Sequence, residues 1–155
     1  MESGDPAEVL DRLDRKIQHF EPDAIATVLY AVCHPELKSA RIVSAGHWPP
    51  VLAVPGSPAT VIDITPDVLI GVDADVPKRQ TNTVQIPAGA LLCFYADGLV
   101  ERRGALIEAN LTRLCESMTP GPPDAICAGV MAALIGREAV RDDVALLALQ
   151  RVPGQ

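Results

Sequence analysis

Two acidic pairs stand at the ends of apolar runs. Leu91-Leu92-Cys93-Phe94-Tyr95 leads through Ala96 into Asp97-Gly98 and on to Glu101, and Arg141-Asp142-Asp143 precedes the run 144–149. An apolar strand of that kind belongs in a core, so Asp97 is carried to the edge of one. A carboxylate held there is costly unless it is solvated, paired or metal-bound. Mg²⁺ and Mn²⁺ take carboxylate and water oxygens and are usually held by few protein groups. Two such ions ~3.5–4 Å apart can activate water and clamp a phosphoryl group for in-line displacement. Gly98 permits a tight turn and a close approach of backbone to a ligand. The plainer alternative is a turn at Asp97-Gly98 and a solvated strand entry at Asp142-Asp143, and spacing alone leaves both open. Strand alternation would send Asp142 and Asp143 to opposite faces, so one ligand is expected from that pair.

A second unusual element is Ala45-Gly46-His47-Trp48-Pro49-Pro50. His47 could serve as a general acid and Trp48 in recognition, but a rigid inter-strand turn is the stronger expectation. His19 and His34 fall at a helix end and in a turn, and both read as surface positions. There is no Gly-x-Ser-x-Gly, Walker-type loop or His-Glu-x-x-His, so those enzyme classes lose their support. Cys33, Cys93, Cys115 and Cys127 form no Cys-x-x-Cys pair and are expected to be buried, reduced thiols in a reducing compartment.

The elements that must position these groups can be read in order. Asp5-Pro6-Ala7-Glu8 predicts a helix start, with Asp5 as cap and Glu8 reaching back to it. Leu10, Leu13, Ile17 and Phe20 mark its apolar face. Strands are predicted over 26–33 and 40–45 as a hairpin, and over 51–54 and 60–64 as a second hairpin. A loop over 67–78 contains Leu69-Ile70-Gly71. Strands over 83–86 and 91–95 flank the turn Pro87-Ala88-Gly89. Leu106, Ile107, Asn110, Leu111, Leu114, Cys115 and Met118 predict a helix. Pro122-Pro123-Asp124 starts another, with the stripe Ile126, Cys127, Val130, Met131, Leu134 and Ile135 and Gly136 as its C-terminal cap. A strand over 144–149 closes the order. This is an α+β pattern with a mostly antiparallel sheet rather than a doubly wound one.

The 155 residues fit a single domain, and a hydrophobic content of 48% excludes disorder. A formal net charge of −7 argues against a sequence-independent nucleic-acid binder and against anionic membranes. The start is acidic and has no apolar signal-peptide core. The longest uncharged helical stretch, 125–136, is shorter than the ~20 residues that span a bilayer. A soluble, cytoplasmic protein is expected.

The order of motifs carries a resemblance. Ala26-Thr27-Val28-Leu29-Tyr30, Ala45-Gly46-His47-x-Pro49-Pro50, Leu69-Ile70-Gly71, Tyr95-Ala96-Asp97-Gly98-Leu99-Val100-Glu101 and Asp142-Asp143-Val144-Ala145-Leu146-Leu147 together resemble the SpoIIE/RsbU-type branch of the PPM metal-dependent serine/threonine phosphatases. Ile70 stands where that branch often has Leu, and 102–107 differ from its usual segment. The resemblance implies a β-sandwich flanked by helices (PPM-like αββα) and a two-metal Mn²⁺ or Mg²⁺ centre acting on phosphoserine or phosphothreonine. It implies Asp97 and Asp142 as catalytic metal ligands, Asp143 as a less favoured one, and Gly98 beside the bound ion. Gly46 and His47 match a motif of uncertain role. The implied substrate is a phosphorylated STAS-type anti-sigma-factor antagonist, in partner switching that controls sigma factors and stress responses. A sensor domain commonly accompanies this branch.

The branch also places a metal-bridging Asp in a Gly-Asp-x-x-Gly-type motif ahead of the segment with which this chain begins. Nothing before Ala26 matches it. The chain is therefore expected to be a partial phosphatase domain, 1–155, lacking the N-terminal strands and first helix. It should be inactive alone and prone to self-association through exposed sheet edges. The alternatives are a non-catalytic phosphatase-like module that binds or regulates a partner, and an unrelated α+β domain whose acidic pairs are only turns.

Overall fold

Pro6, which needs no N–H donor in a first helical turn, opens α1 (Pro6–Phe20). In the structure, a computed structural model, residues 4–72, 77–102, 104, 106–136 and 142–154 are described. Arg141, part of the loop over 67–78, and residues 1–3 of the acidic start lie outside them. Asp5 flanks α1 but makes no side-chain cap bond. The expected Asp5–Glu8 cap gives way to a relay: the Thr81 hydroxyl donates to Asp5 Oδ1, and its oxygen accepts from the Ala7 N–H at 3.1 Å. A hydroxyl inserted from a distant segment satisfies the helix end in place of the local side chain.

The buried face of α1 also differs from the expected stripe. Pro6, Ala7, Leu10 and Asp14 are buried, while Leu13 is 36% and Phe20 72% exposed. The helix is rotated so that Asp14, rather than Leu13, faces inward. Ala7 and Leu10 pack with Val43, Ala45 and Ile70, and Ile17 joins at the margin.

The chain forms two compact units. The first holds α1, β1 (Val28–Cys33), β2 (Ser39–Ala45) and β5 (Asn82–Gln85), in an antiparallel sheet ordered β1-β2-β5. The second holds β3 (Val51–Ala53), β4 (Thr60–Val61), β6 (Leu91–Tyr95), α2 (Ile107–Glu116), α3 (Pro123–Leu134) and β7 (Leu146–Gln150). Its sheet is ordered β4-β3-β6-β7, again antiparallel. Both expected hairpins form, β1–β2 and β3–β4. β5 and β6, which flank the Pro87-Ala88-Gly89 turn, do not pair with each other. β5 adds to β2, and β6 runs between β3 and β7.

Central position explains the apolar run of β6: Leu91, Leu92 and Cys93 are 0% exposed. In α2 the expected stripe holds at Asn110 and Leu114, both buried, but Leu106 is 75% exposed. Asn110 satisfies its amide by donating to the Val100 carbonyl at 2.8 Å. α3 buries Val130 and Leu134. It ends as expected at Gly136, whose N–H reaches back to the Met131 carbonyl at 3.1 Å. All four cysteines are free thiols; Cys93 is buried and the other three are half-buried.

Candidate functional site

β6 delivers Asp97 by a continuous chain of backbone bonds. Tyr95 pairs with Leu146, and the Ala96 N–H extends the ladder to the Ala145 carbonyl at 2.9 Å. The chain then coils into a 3-10 turn over Asp97–Leu99. N–H groups of Val100 and Glu101 donate to the Asp97 carbonyl at 3.0 and 2.8 Å. Leu99 and Val100, both 0% exposed, seat this turn in the core. Asp97 is half-buried, with its Oδ1 atom shielded from solvent. The Tyr95 phenol is shifted upward, first by burial and then by Cys115, Cys93 and Asp97 nearby, which keeps it neutral beside the acid.

Gly98 brings the second acidic pair to this turn. A Cβ at that position would lie 2.5 Å from the Asp143 carbonyl oxygen and 3.3 Å from the Asp142 carbonyl carbon. Only a residue without a side chain allows the two segments to meet so closely. Asp142 and Asp143 are exposed. β7 begins at Leu146, later than the expected strand over 144–149. The two acids therefore precede the regular strand, and strand alternation does not assign them to opposite faces.

Carboxylates on two abutting segments are donors of the kind a hard divalent cation takes. Among the described residues, no group of three or more His, Cys, Asp or Glu side chains is assembled to hold a metal ion. Asp97 and Asp142, with Asp143 beside them, are the groups that this end of β6 and β7 offers.

Gly46 and His47 belong to the first unit. The Gly46 N–H donates to the Asp67 carbonyl at 2.8 Å, and the Ser44 hydroxyl donates to the His47 carbonyl at 2.7 Å. Pro49 and Pro50 are buried. These bonds tie down the backbone of the inter-strand turn. His19 and His34 are exposed, as expected.

Sequence reasoning missed Asp14 and Arg79. Arg79 is 4% exposed, and its Nη2 lies 2.6 Å from Asp14 Oδ2. Its Nη1 donates to the Val68 carbonyl at 2.6 Å, and Asp11 lies 3.4 Å from Nε. The Gly71 N–H donates to Asp14 Oδ1 at 2.8 Å. Gly71 itself has φ +86° and sits so close to the Ala24 carbonyl that a Cβ would fall 1.9 Å from it. One buried ion pair thus ties α1 to the Leu69-Ile70-Gly71 segment. The signal was present on one side only: Asp14 lies at helical spacing from Ala7, Leu10 and Ile17, an acid within an apolar face.

A family model described as Stage II sporulation protein E (SpoIIE) matches residues 1–152. Among solved structures, the chain is similar to the RsbU and RsbW domains of Rv1364c from Mycobacterium tuberculosis, with 26% identity and a TM-score of 0.81. That match covers 96% of this chain and 44% of the other, so this chain spans less than half the length of that relative. It is also similar to the SiaA PP2C domain of Pseudomonas aeruginosa (17% identity, TM-score 0.71, 96% of this chain and 61% of that one). A third is the Mn-presoaked phosphatase domain of the cell-fate determinant SpoIIE from Bacillus subtilis (17% identity, TM-score 0.69, 99% of this chain and 69% of that one). The last two likenesses speak to fold, and they agree with the α+β architecture expected from the motif order.

Proposed function

This chain belongs to the SpoIIE family, as a PPM-type phosphatase domain of the SpoIIE/RsbU kind, and on that premise we propose that it serves to dephosphorylate a phosphoserine or phosphothreonine protein. The substrate in this reading is a small STAS-type anti-sigma-factor antagonist, and the setting is cytoplasmic partner switching that governs a sigma factor under stress. Similarity to a chain carrying both RsbU and RsbW domains supports that setting. Among the described residues no helix is long and apolar enough to cross a membrane. A sensor domain elsewhere in the polypeptide would supply the signal, and the sheet-terminal strands β1 and β7 offer edges for self-association.

The observation that carries this reading is the abutment of Gly98 on Asp142-Asp143. It supports Asp97 and Asp142 as ligands of Mn²⁺ or Mg²⁺, with Asp143 the less favoured candidate. Such ions, when bound, supply water activation and charge neutralisation at the phosphoryl group. The chain's own contribution is positional. The 3-10 turn fixes the Asp97 backbone, Leu99 and Val100 anchor it, and Gly98 keeps the approach between the acidic segments open. Two or three carboxylates are few for a two-metal centre, so residues 1–155 by themselves are taken to be inactive.

That same shortage of ligands among the described residues favours one second reading: a non-catalytic phosphatase-like module that binds a partner. Hydrolysis of a phosphoserine STAS protein separates the two. The enzyme reading expects Mn²⁺- or Mg²⁺-dependent turnover by the protein as translated in its host, lost in Asp142→Asn. Metal-independent capture of the STAS protein with no turnover would favour the module. Turnover by residues 1–155 alone, abolished by Asp97→Ala, would overturn the claim of inactivity.

A further inference from the structure

The last backbone bond of the β6–β7 ladder joins Ala96 to Ala145, so both acidic segments lie beyond it. Past that point a second route connects them. The Val100 carbonyl, where the Asp97 turn closes, accepts a hydrogen bond at 2.8 Å from the buried Asn110 amide of α2. The half-buried Arg102 then turns its guanidinium to the C-terminal end of α3, where Nη1 donates to the Leu134 carbonyl. Carbonyls of a last helical turn have no N–H of their own helix to meet them, and a cation there also faces the negative end of the helix dipole. From α2, the Arg113 guanidinium donates to the neighbouring Ala133 carbonyl. α3 in turn packs against β7, the strand into which Asp142-Asp143 lead.

We infer that Arg102 is a positioning residue for the acidic site: its bond to the end of α3 holds the Asp97 turn and the Asp142-Asp143 segment at the separation where both can serve one divalent cation. This rests on the reading of Asp97 and Asp142 as ligands of Mn²⁺ or Mg²⁺. The backbone contact at Gly98 is steric, so it limits how near the two segments come and does nothing to keep them from parting. Arg102 supplies the opposing restraint, because it leaves the chain directly after the Asp97 turn and grips the helix that lies on β7. Arg113 caps the same helix end from α2 and holds neither acidic segment. Small hard cations demand near-ideal ligand geometry, so a slackened restraint behind the ligands is read out as lost affinity.

The test is Mn²⁺ binding by the protein as translated in its host, followed without substrate by loss of the electron paramagnetic resonance signal of free Mn²⁺. Arg102→Met should weaken Mn²⁺ binding about tenfold. Arg102→Lys, which keeps a charged donor, should recover most of that loss. Arg151→Met is the comparison: Arg151 Nη1 donates to the Ile86 carbonyl at 2.6 Å beyond the other end of β7. That variant loses a bond of the same kind far from the acids and should bind Mn²⁺ as the parent does. Parent-like affinity in Arg102→Met, equal weakening in Arg151→Met, or no recovery in Arg102→Lys would overturn the inference. So would loss of the fold in Arg102→Met, which would make the residue a structural prop. No saturable Mn²⁺ binding by the parent would remove the metal reading itself, and the inference with it.

Discussion

Gly98 and Asp143 meet backbone to backbone: a Cβ on Gly98 would lie 2.5 Å from the Asp143 carbonyl oxygen. The contact follows from β6–β7 pairing, which runs through Tyr95 and Leu146 and continues to Ala96 and Ala145. Past that point the 3-10 turn swings Gly98 under the incoming Asp142-Asp143 segment. The obstacle is main chain rather than a flexible side-chain end, so it cannot move aside cheaply. Gly98→Ala should therefore destabilise by about 1–3 kcal/mol, the usual cost of overpacking. A urea-unfolding midpoint equal to the parent's would contradict this contact.

The Asp14–Arg79 pair yields a prediction with internal structure. Arg79→Met leaves the Asp14 carboxylate buried without its cation and should cost about 3–5 kcal/mol. Asp14→Leu removes the acceptor of Arg79 Nη2 and of the Gly71 N–H at once, leaving the guanidinium with Asp11 and the Val68 carbonyl. Because both single changes remove the same interaction, the double variant should lose clearly less than their sum. Additive losses in chemical denaturation would show that the two residues act independently.

Thr81 relays the cap of α1 between Asp5 and the Ala7 N–H. Thr81→Val keeps the shape but removes both bonds, and a loss of about 1 kcal/mol is expected, comparable with deleting a helix cap. Glu8→Ala, which would disrupt a local capping box, should change stability by far less. The reverse ranking in thermal melts would restore the local cap.

Burial, and after it the proximity of Cys127, pushes the Cys93 thiol up to about 12 from its ordinary 9.0. Below pH 9 the thiol is protonated in both folded and unfolded chains, and its contribution to stability is complete. Between pH 9 and about 12 the unfolded thiol ionises while the folded one does not, so unfolding releases a proton and stability falls as pH rises. Cys33, Cys115 and Tyr95 are shifted in the same direction. Cys93→Ala should therefore flatten the alkaline slope in part. An unchanged slope between pH 9 and 11 would contradict the buried, protonated thiol.

Local chemistry made much of this architecture legible. Pro6, Pro123 and Gly136 mark helix ends in the chain itself, and the run 91–95 announces a central strand without any partner in view. Long-range events were not legible. The face of α1 was misplaced because Leu13 and Phe20 look like core residues until Arg79, from a distant segment, claims Asp14. The turn at Pro87-Ala88-Gly89 resembles a hairpin loop, yet its flanking strands enter different sheets because β2 and β3 offer them partners. At the candidate site, the position of Asp97 at the end of a buried strand could be read directly. The meeting of the adjoining Gly98 with Asp142-Asp143 could not, since it depends on a strand pairing across some fifty residues, as Tyr95 with Leu146 shows.

The role proposed for Asp97 is that of a metal ligand rather than of a turn residue. The most direct measurement compares wild type with Asp97→Asn, in the protein as translated in its host, for Mn²⁺-dependent release of phosphate from a phosphoserine STAS protein. The variant keeps the size and most hydrogen-bonding capacity of the side chain but loses its charge. Hydrolysis should disappear while the thermal unfolding midpoint stays close to the parent's. Hydrolysis retained at the wild-type rate by a folded Asp97→Asn protein would contradict it.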